Sequence, residues 1–357
     1  MDLYKADIGK ADFKQLLAKD VDWRSGVIVR STNWLGDACM TVPAVYKIKQ
    51  LLPAGVSFNI LAPKNLQSFW KTFSWVDEVV PLMGKRAGGS EKQQIRKLNC
   101  GVAVILPNSF GSALDLLFND IPVRLGRGGR LRSMMLTHQL PAWKRIAGED
   151  RHHQLREYLQ IAAACGANSW DDEYAAARPE VSPKRLSELN FDPSKNWLAL
   201  APGAKFGPAK QWPLDYHAKV ARNWLDKGGE VVIVGTPDEV ETAEKVKDLA
   251  GGGLNLAGKT NLQELMYILG NVKSSVVNDS GAMHLAAAMG GQGVAVFGST
   301  DPGATGPLGG RWRVLWNRIE CSPCLKKVCE IPGKDYACLK GVTPEQVILA
   351  LEELENA

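Results

Sequence analysis

No apolar run in these 357 residues approaches the roughly 20 needed to cross a bilayer, so nothing reads as a transmembrane segment. The opening stretch, Met1-Asp-Leu-Tyr-Lys-Ala-Asp7, lacks the apolar h-region of a secretory signal, and the chain is expected to stay in the cytoplasm. The G-x-G-x-x-G fingerprint is absent, which excludes an ordinary dinucleotide-dependent dehydrogenase. Charge of one sign is not dominant either. A net charge of +5 is a mild excess that suits an anionic substrate or a membrane surface, and nucleic acid is not an expected partner. What is there is an ordinary globular composition, 45% hydrophobic and 23% charged. The length is generous for one core and comfortable for two domains.

Short β-branched runs alternate with helix-forming stretches from Gly26-Val-Ile-Val-Arg30 onward. Strands are expected at 58–62, 78–81, 102–106, 197–201, 230–234, 275–278 and 294–297, with a helical lead-in at 1–22. This alternation argues for parallel sheets covered by helices. Residues 168–196 turn polar and proline-containing, after which the pattern restarts. The expected division is a first domain at 1–175, a linker at 176–195 and a second domain at 196–357.

The most informative stretch is Ser275-Ser-Val-Val-Asn-Asp-Ser-Gly-Ala-Met-His284. A strand feeding a helix through small residues leaves backbone N–H groups pointing outward with the helix dipole behind them, a ready phosphate site. Gly281 permits close approach and Ser280 adds a hydroxyl donor. Asp279 would repel a phosphate, so it reads either as a partner for neighbouring sugar hydroxyls or as a helix N-cap. A second strand end, Phe297-Gly-Ser-Thr-Asp-Pro302, adjoins it. Gly203, Ala204, Lys205 and Lys210 lie in a Gly/Pro loop after the strand at 197–201, where lysine can neutralise a departing diphosphate. Past the strand at 230–234, Asp238 or Glu239 reads either as a ribose acceptor or as a helix cap. In the first half, Asp37 closes the corresponding loop, Ser31-Thr-Asn-Trp-Leu-Gly-Asp37, which includes Asn33. A carboxylate there suits a general base that deprotonates an acceptor hydroxyl. Arg124, Arg127, Arg130 and Arg132 crowd a Gly-rich stretch that reads either as a phosphate- or carboxylate-reading loop or as a solvated basic loop. His153 opens a helix and is read either as a site residue or as structural.

Four of these segments in this order resemble the lipopolysaccharide heptosyltransferases, glycosyltransferase family 9, and within them the heptosyltransferase II branch. They are Ser31–Asp37, Ala201-Pro-Gly-Ala-Lys-Phe-Gly-Pro-Ala-Lys-Gln-Trp-Pro213, Asn278-Asp-Ser-Gly-Ala-Met-His284 and Phe297-Gly-Ser-Thr-Asp-Pro-Gly-Ala-Thr-Gly306. The resemblance implies a GT-B fold, α/β, with two Rossmann-like domains whose parallel sheets face across a cleft. It implies an ADP-heptose donor, an inner-core acceptor carried on lipid A, and inverting transfer without a catalytic metal or other cofactor. Asp37 matches the family's base and Lys210 its diphosphate-contacting lysine. Asp279, Ser280, Gly281 and His284 match the donor loop, with Gly203, Ala204, Lys205 and Glu239 beside it. Asn33, Arg124, Arg127, Arg130 and His153 fall on the acceptor side. Such an enzyme is expected at the cytoplasmic face of the inner membrane. Two alternatives on a similar fold are a sugar-nucleotide epimerase and a non-catalytic nucleotide-sugar or lipid-surface binding protein.

Four of the seven cysteines cluster as Cys321-x-x-Cys324, Cys329 and Cys338. In a reducing compartment this spacing suggests a structural zinc or iron–sulfur centre more than disulfides. Cys39, Cys100 and Cys165 read as small core residues.

Overall fold

The computed structural model describes residues 2–10, 20–142, 152–175, 179–333 and 335–356, with the Arg130 side chain left aside. They form two compact units, Ile8–Ala177 and Arg178–Ala357, the second including Met1–Asp7.

The first unit is built on a six-stranded sheet: β1 (Val27–Arg30), β2 (Phe58–Pro63), β3 (Glu78–Leu82), β4 (Val102–Ile105), β5 (Val123–Arg127) and β6 (His138–Leu140). Its order is β3-β2-β1-β4-β5-β6, and every pairing is parallel. Strands covered on both faces need continuous apolar runs, and β1 and β4 are buried at every position. Ile28, Leu61, Val80, Ala103, Ile105 and Leu116 form one of its cores. The second unit repeats the plan with β7 (Trp197–Ala201), β8 (Glu230–Ile233), β9 (Leu254–Asn255), β10 (Ser274–Asn278), β11 (Gln292–Phe297) and β12 (Arg311–Trp316), ordered β12-β11-β10-β7-β8-β9. Leu198, Leu200, Trp212, Val231, Val276, Val294 and Leu351 fill its core. In each sheet the winding reverses once, between β1 and β4 and between β7 and β10. A ligand crevice belongs at the carboxyl ends of those strands.

Several boundaries differ from the sequence reading. The first helix runs from Leu35 through Pro43 to Lys49. Within the stretch expected as linker, Pro183–Glu188 is helical, capped by the Ser182 hydroxyl, and Arg185 reaches Glu264 at 2.7 Å. The amino-terminal residues 2–10 form no helix. Instead Tyr4 N–H donates to the Trp312 carbonyl on β12 at 2.7 Å. The rest of the helical lead-in, 11–19, lies outside the described residues. The Gly-rich arginine stretch, expected to be a loop, is β5 followed by a 3-10 segment, Arg130–Met135.

Candidate active site

In the second unit, β7 and β10 lie side by side and the loops that leave them are laced together by one side chain. Asn278, fully buried, donates to the carbonyls of Pro202 (2.8 Å) and Gly203 (3.1 Å). It accepts from the Trp212 backbone at 3.1 Å. Both ends of the Pro202–Trp212 loop are thus pinned to β10. Trp212 anchors it in the core, its indole N–H bound to the Val342 carbonyl at 2.8 Å.

That lacing delivers Lys210 to Asp279. The ammonium is 2.6 Å from Oδ2 of Asp279, and the Thr300 hydroxyl donates to the same oxygen at 2.6 Å. Asp279 is 4% exposed. A carboxylate that would otherwise repel a phosphate is therefore partly neutralised. Lys210 also lies over the Phe206 ring, 4.8 Å from its centroid, a cation–π contact that fixes the long side chain.

The helix Gly281–Ala288 starts two residues after Asp279. Its N-cap, Ser280, makes no capping hydrogen bond, so the first-turn N–H groups are not occupied by that hydroxyl. The Ser280 hydroxyl oxygen is itself buried without a partner among the described residues, and so are those of Ser299 and Thr305 on the neighbouring β11 loop. Buried hydroxyls left unpaired on loops after adjacent strands are what a polar ligand would complete. His284, 6% exposed, follows on the same helix. Lys205 stays exposed. A Cβ on Gly203 would run into the Glu239 carboxylate. Glu239 closes a capping box, its Oε2 accepting from Thr236 N–H at 2.7 Å, while Asp238 is exposed. The capping reading is thus present at Glu239, with the Gly203 backbone immediately beside its carboxylate.

In the first unit, Asp37 occupies the first turn of the Leu35–Lys49 helix. Burial pushes its carboxyl above the ordinary aspartate range, opposed by a hydrogen bond from Gln154. Gln154 also donates to the hydroxyl of Tyr158 at 3.0 Å. A carboxylate held above its usual range, with one donor to orient it, is a competent proton acceptor. Neither Gln154 nor Tyr158 was singled out from sequence, although both closely follow His153.

The arginines of β5 behave differently from the sequence expectation. Arg124 donates to the carbonyls of Met135 (2.8 Å) and Ile121 (2.5 Å). Arg127, 5% exposed, donates to Gln160 Oε1 at 2.6 Å and the Glu157 carbonyl at 3.0 Å. Arg132 donates to the carbonyls of Arg127 (2.7 Å) and Ser109 (2.6 Å), and burial lowers it to about 10. These are internal braces in a strand and its exit. The Arg130 side chain lies outside the described residues. His153 is 1% exposed and its Nδ1 accepts from Leu155 N–H at 3.1 Å, at the start of the Leu155–Cys165 helix. Asn33, exposed, accepts from Arg30 at 2.9 Å.

The cysteine segment packs on the same edge as Lys210. Ser322 donates to the Gly298 carbonyl at 2.6 Å. Leu325 N–H donates to Ser299 O at 2.7 Å, and Ala209 N–H to Lys327 O at 3.0 Å. Cys338 is raised by burial and then by Cys324, Cys321 and Cys329 nearby. Among the described residues, no three His, Cys, Asp or Glu side chains are grouped to hold a metal ion.

Two parallel six-stranded sheets, with a lysine and an open helix start at the reversal point of one and a raised carboxylate on the other, define a glycosyltransferase of the GT-B type. The chain belongs to glycosyltransferase family 9, the heptosyltransferases, whose model matches residues 90–334. It is 33% identical to a lipooligosaccharide heptosyltransferase 2 of Campylobacter jejuni, covering 90% of this chain and 96% of that one. It is 29% identical to the lipopolysaccharide heptosyltransferase 2 of Salmonella typhimurium, covering 92% and 97%. The solved ADP-heptose lipopolysaccharide heptosyltransferase II of Escherichia coli superposes with a TM-score of 0.74 at 26% identity, over 93% of this chain and all of that one. The expected α/β GT-B class and enzyme class are those found, and neither the epimerase nor the non-catalytic binder is favoured. No helix among the described residues is long and apolar enough to cross a membrane.

Proposed function

We propose that this enzyme moves heptose from ADP-heptose onto a heptose of the lipopolysaccharide inner core, inverting the anomeric carbon and using no catalytic metal. The observation that carries this reading is Lys210 held at the start of the Gly281–Ala288 helix by Asp279, whose carboxylate also accepts from the Thr300 hydroxyl. In the proposed reaction Asp37 takes the proton of the acceptor hydroxyl. The freed oxygen pair bonds to the anomeric carbon from the face opposite the nucleotide. The bond from that carbon to the diphosphate oxygen breaks, and its electron pair leaves on ADP. Lys210 and the helix N–H groups meet the charge that grows there, the role a metal would otherwise serve. Asp279, Ser280, Gly281, His284, Gly203, Ala204 and Lys205 bind the donor, with Glu239 facing the ribose.

Asn33 is assigned to the acceptor. Arg124, Arg127 and His153 support that side from within, given their buried partners. The enzyme works at the cytoplasmic face of the membrane that carries the acceptor. A structural zinc or iron–sulfur centre at Cys321, Cys324, Cys329 and Cys338 rests on spacing alone, and metal analysis of reduced protein decides it.

The test of the reaction is transfer from ADP-heptose to a truncated core acceptor, with the product's anomeric configuration read by NMR before and after exhaustive chelation. Inversion with an unchanged rate is expected. Retention, or loss of activity restored by metal, would overturn the mechanism.

A further inference from the structure

Residues 2–7 belong to the second unit, although the first strand of that unit's sheet begins only at Trp197. Their backbone meets the sheet at its edge, where Tyr4 N–H donates to the Trp312 carbonyl of the outermost strand, β12, at 2.7 Å. Covering an exposed edge is a common use for such a segment. Edge cover asks only for backbone, and here a side chain does something more specific. The Tyr4 hydroxyl donates to the Pro302 carbonyl at 2.7 Å. Pro302 opens the short helix Pro302–Thr305, and the same carbonyl accepts from Gly306 N–H at 2.8 Å. Burial, then the carboxylates of Asp301 and Asp7, push the Tyr4 hydroxyl up, so at neutral pH it stays a donor.

Gly306 closes that turn and is fitted to the ring. A Cβ at Gly306 would come within 2.3 Å of both Cζ and Oη of Tyr4. Its φ of −64° is open to any residue, so the glycine answers to the space the tyrosine takes and not to backbone conformation. The turn gripped in this way continues directly from the β11 loop of the site. Thr300, just before it, donates to the Asp279 carboxylate that pairs with Lys210. Asp301 caps the turn, accepting from Gly303 N–H at 2.9 Å. Thr305, its last helical residue, keeps a buried hydroxyl without a partner among the described residues. One helical turn has little stability of its own, so what fixes this one must come from outside it.

We propose that Tyr4 is a positioning residue for the donor nucleotide: set between Pro302 and Gly306, it holds the Pro302–Thr305 turn so that Thr300 and Thr305 keep their places in the donor site. The inference rests on the reading of that site as the one that takes ADP-heptose. Tyr4 acts through the turn and has no part in the chemical step. Without it the turn samples other arrangements, and affinity falls in proportion to the time the competent one is lost. Donor binding should therefore suffer, while the chemistry at Lys210 and Asp37 should not.

The test is titration calorimetry with ADP on the full chain, alongside initial rates with ADP-heptose. Tyr4→Phe, which loses only the hydrogen bond to Pro302, should weaken ADP binding about threefold to tenfold. Tyr4→Ala should weaken it by at least about tenfold, with donor KM raised to match and kcat at saturating donor unchanged. Gly306→Ala drives a methyl into the ring and should resemble Tyr4→Ala. Added to Tyr4→Ala, it should cost less than about twofold more, because the ring it would strike is gone. Leu3→Ser, on the same segment and 38% exposed, should bind ADP like wild type. A lower melting point in Tyr4→Ala with ADP affinity unchanged would reduce the segment to edge cover and overturn the proposal. So would losses from Tyr4→Ala and Gly306→Ala that simply add, or a fall in kcat with donor KM unmoved. Wild-type binding with undiminished variants rejects the clamp and leaves the transfer reading standing. Failure of wild-type protein to bind ADP at all would instead remove the donor reading, and this inference with it.

Discussion

Replacing Lys210 by alanine separates a structural from a chemical role, because the two effects should respond oppositely to one further substitution. The ammonium lies 2.6 Å from Asp279, with the two side chains 14% and 4% exposed. Removing it strands a buried carboxylate beside the neutral Thr300 hydroxyl. Breaking a buried pair costs about 3–5 kcal/mol, and with water able to reach the lysine end the lower figure, about 3 kcal/mol, is expected. For a unit of this size each kcal/mol moves the midpoint by about 2–4 °C, so melting of the second unit should fall by roughly 6–12 °C. Turnover should fall by about two to three powers of ten, the worth of one positioned charge on a departing oxyanion. Adding Asp279→Asn removes the stranded charge. The double variant should recover stability to within about 1 kcal/mol of wild type, since both partners of the pair are then gone, while turnover stays low. Scanning calorimetry and an ADP-release assay read the two quantities. Recovery of turnover together with stability in the double variant, or a wild-type rate in Lys210→Ala, would refute the reasoning.

Asp37→Asn should leave ADP affinity intact and lower turnover by about two to four powers of ten. A base works deprotonated, so activity is lost as pH falls through a pKa that burial has raised above the ordinary carboxylate range. Gln154→Ala removes a hydrogen bond that favours the carboxylate, and the acidic limb of kcat/KM should move to higher pH. Asn278→Ala unlaces the Pro202–Trp212 loop and should raise donor KM several-fold with a smaller change in kcat, seen in initial rates. Arg127→Ala should cost about 2–3 kcal/mol in denaturant melts, the worth of buried hydrogen bonds to a charged group, with donor KM unchanged. Cys321→Ser with Cys324→Ser should weaken ADP binding in titration calorimetry as well as lower the melting point, because that segment hydrogen-bonds to Ser299 and Ala209.

The strands were legible because a parallel sheet covered on both faces demands uninterrupted apolar runs. Val27–Arg30, Trp197–Ala201 and Ser274–Asn278 announce themselves that way. The loop at Asp279 was legible for a related reason: small residues between a buried strand and an alanine-rich helix leave few other conformations. Neighbours contributed by distant loops were not legible. Thr300 meets Asp279 across 21 positions and Asn278 reaches Gly203 across 75, and no local period records such a meeting. Pro43 illustrates a subtler limit. Proline argues for a break, yet this helix runs from Leu35 to Lys49, with Ala38 through Val45 all buried around it. Packing outweighs the lost backbone hydrogen bond.

The arginine stretch misled for a specific reason. Gly126, Gly128 and Gly129 among four arginines look like a flexible cationic loop, since glycine weakens a strand and arginine prefers water. In the folded chain Gly126 sits in β5 because a Cβ there would come within 2.9 Å of the Ile105 carbonyl and 3.0 Å of Arg132 Nη2. The glycine makes room for the guanidinium that crosses it, so both anomalies of composition have one cause. Arg132 thereby ties the exit of β5 to the start of the Phe110–Leu117 helix. Those are two of the loops whose outer tips, Leu131 and Phe110, are apolar and exposed. Cations turned inward as braces and hydrophobes turned outward invert the usual arrangement of a soluble surface. The brace holds through Arg132, which donates to the Arg127 and Ser109 carbonyls and to the Ser112 hydroxyl.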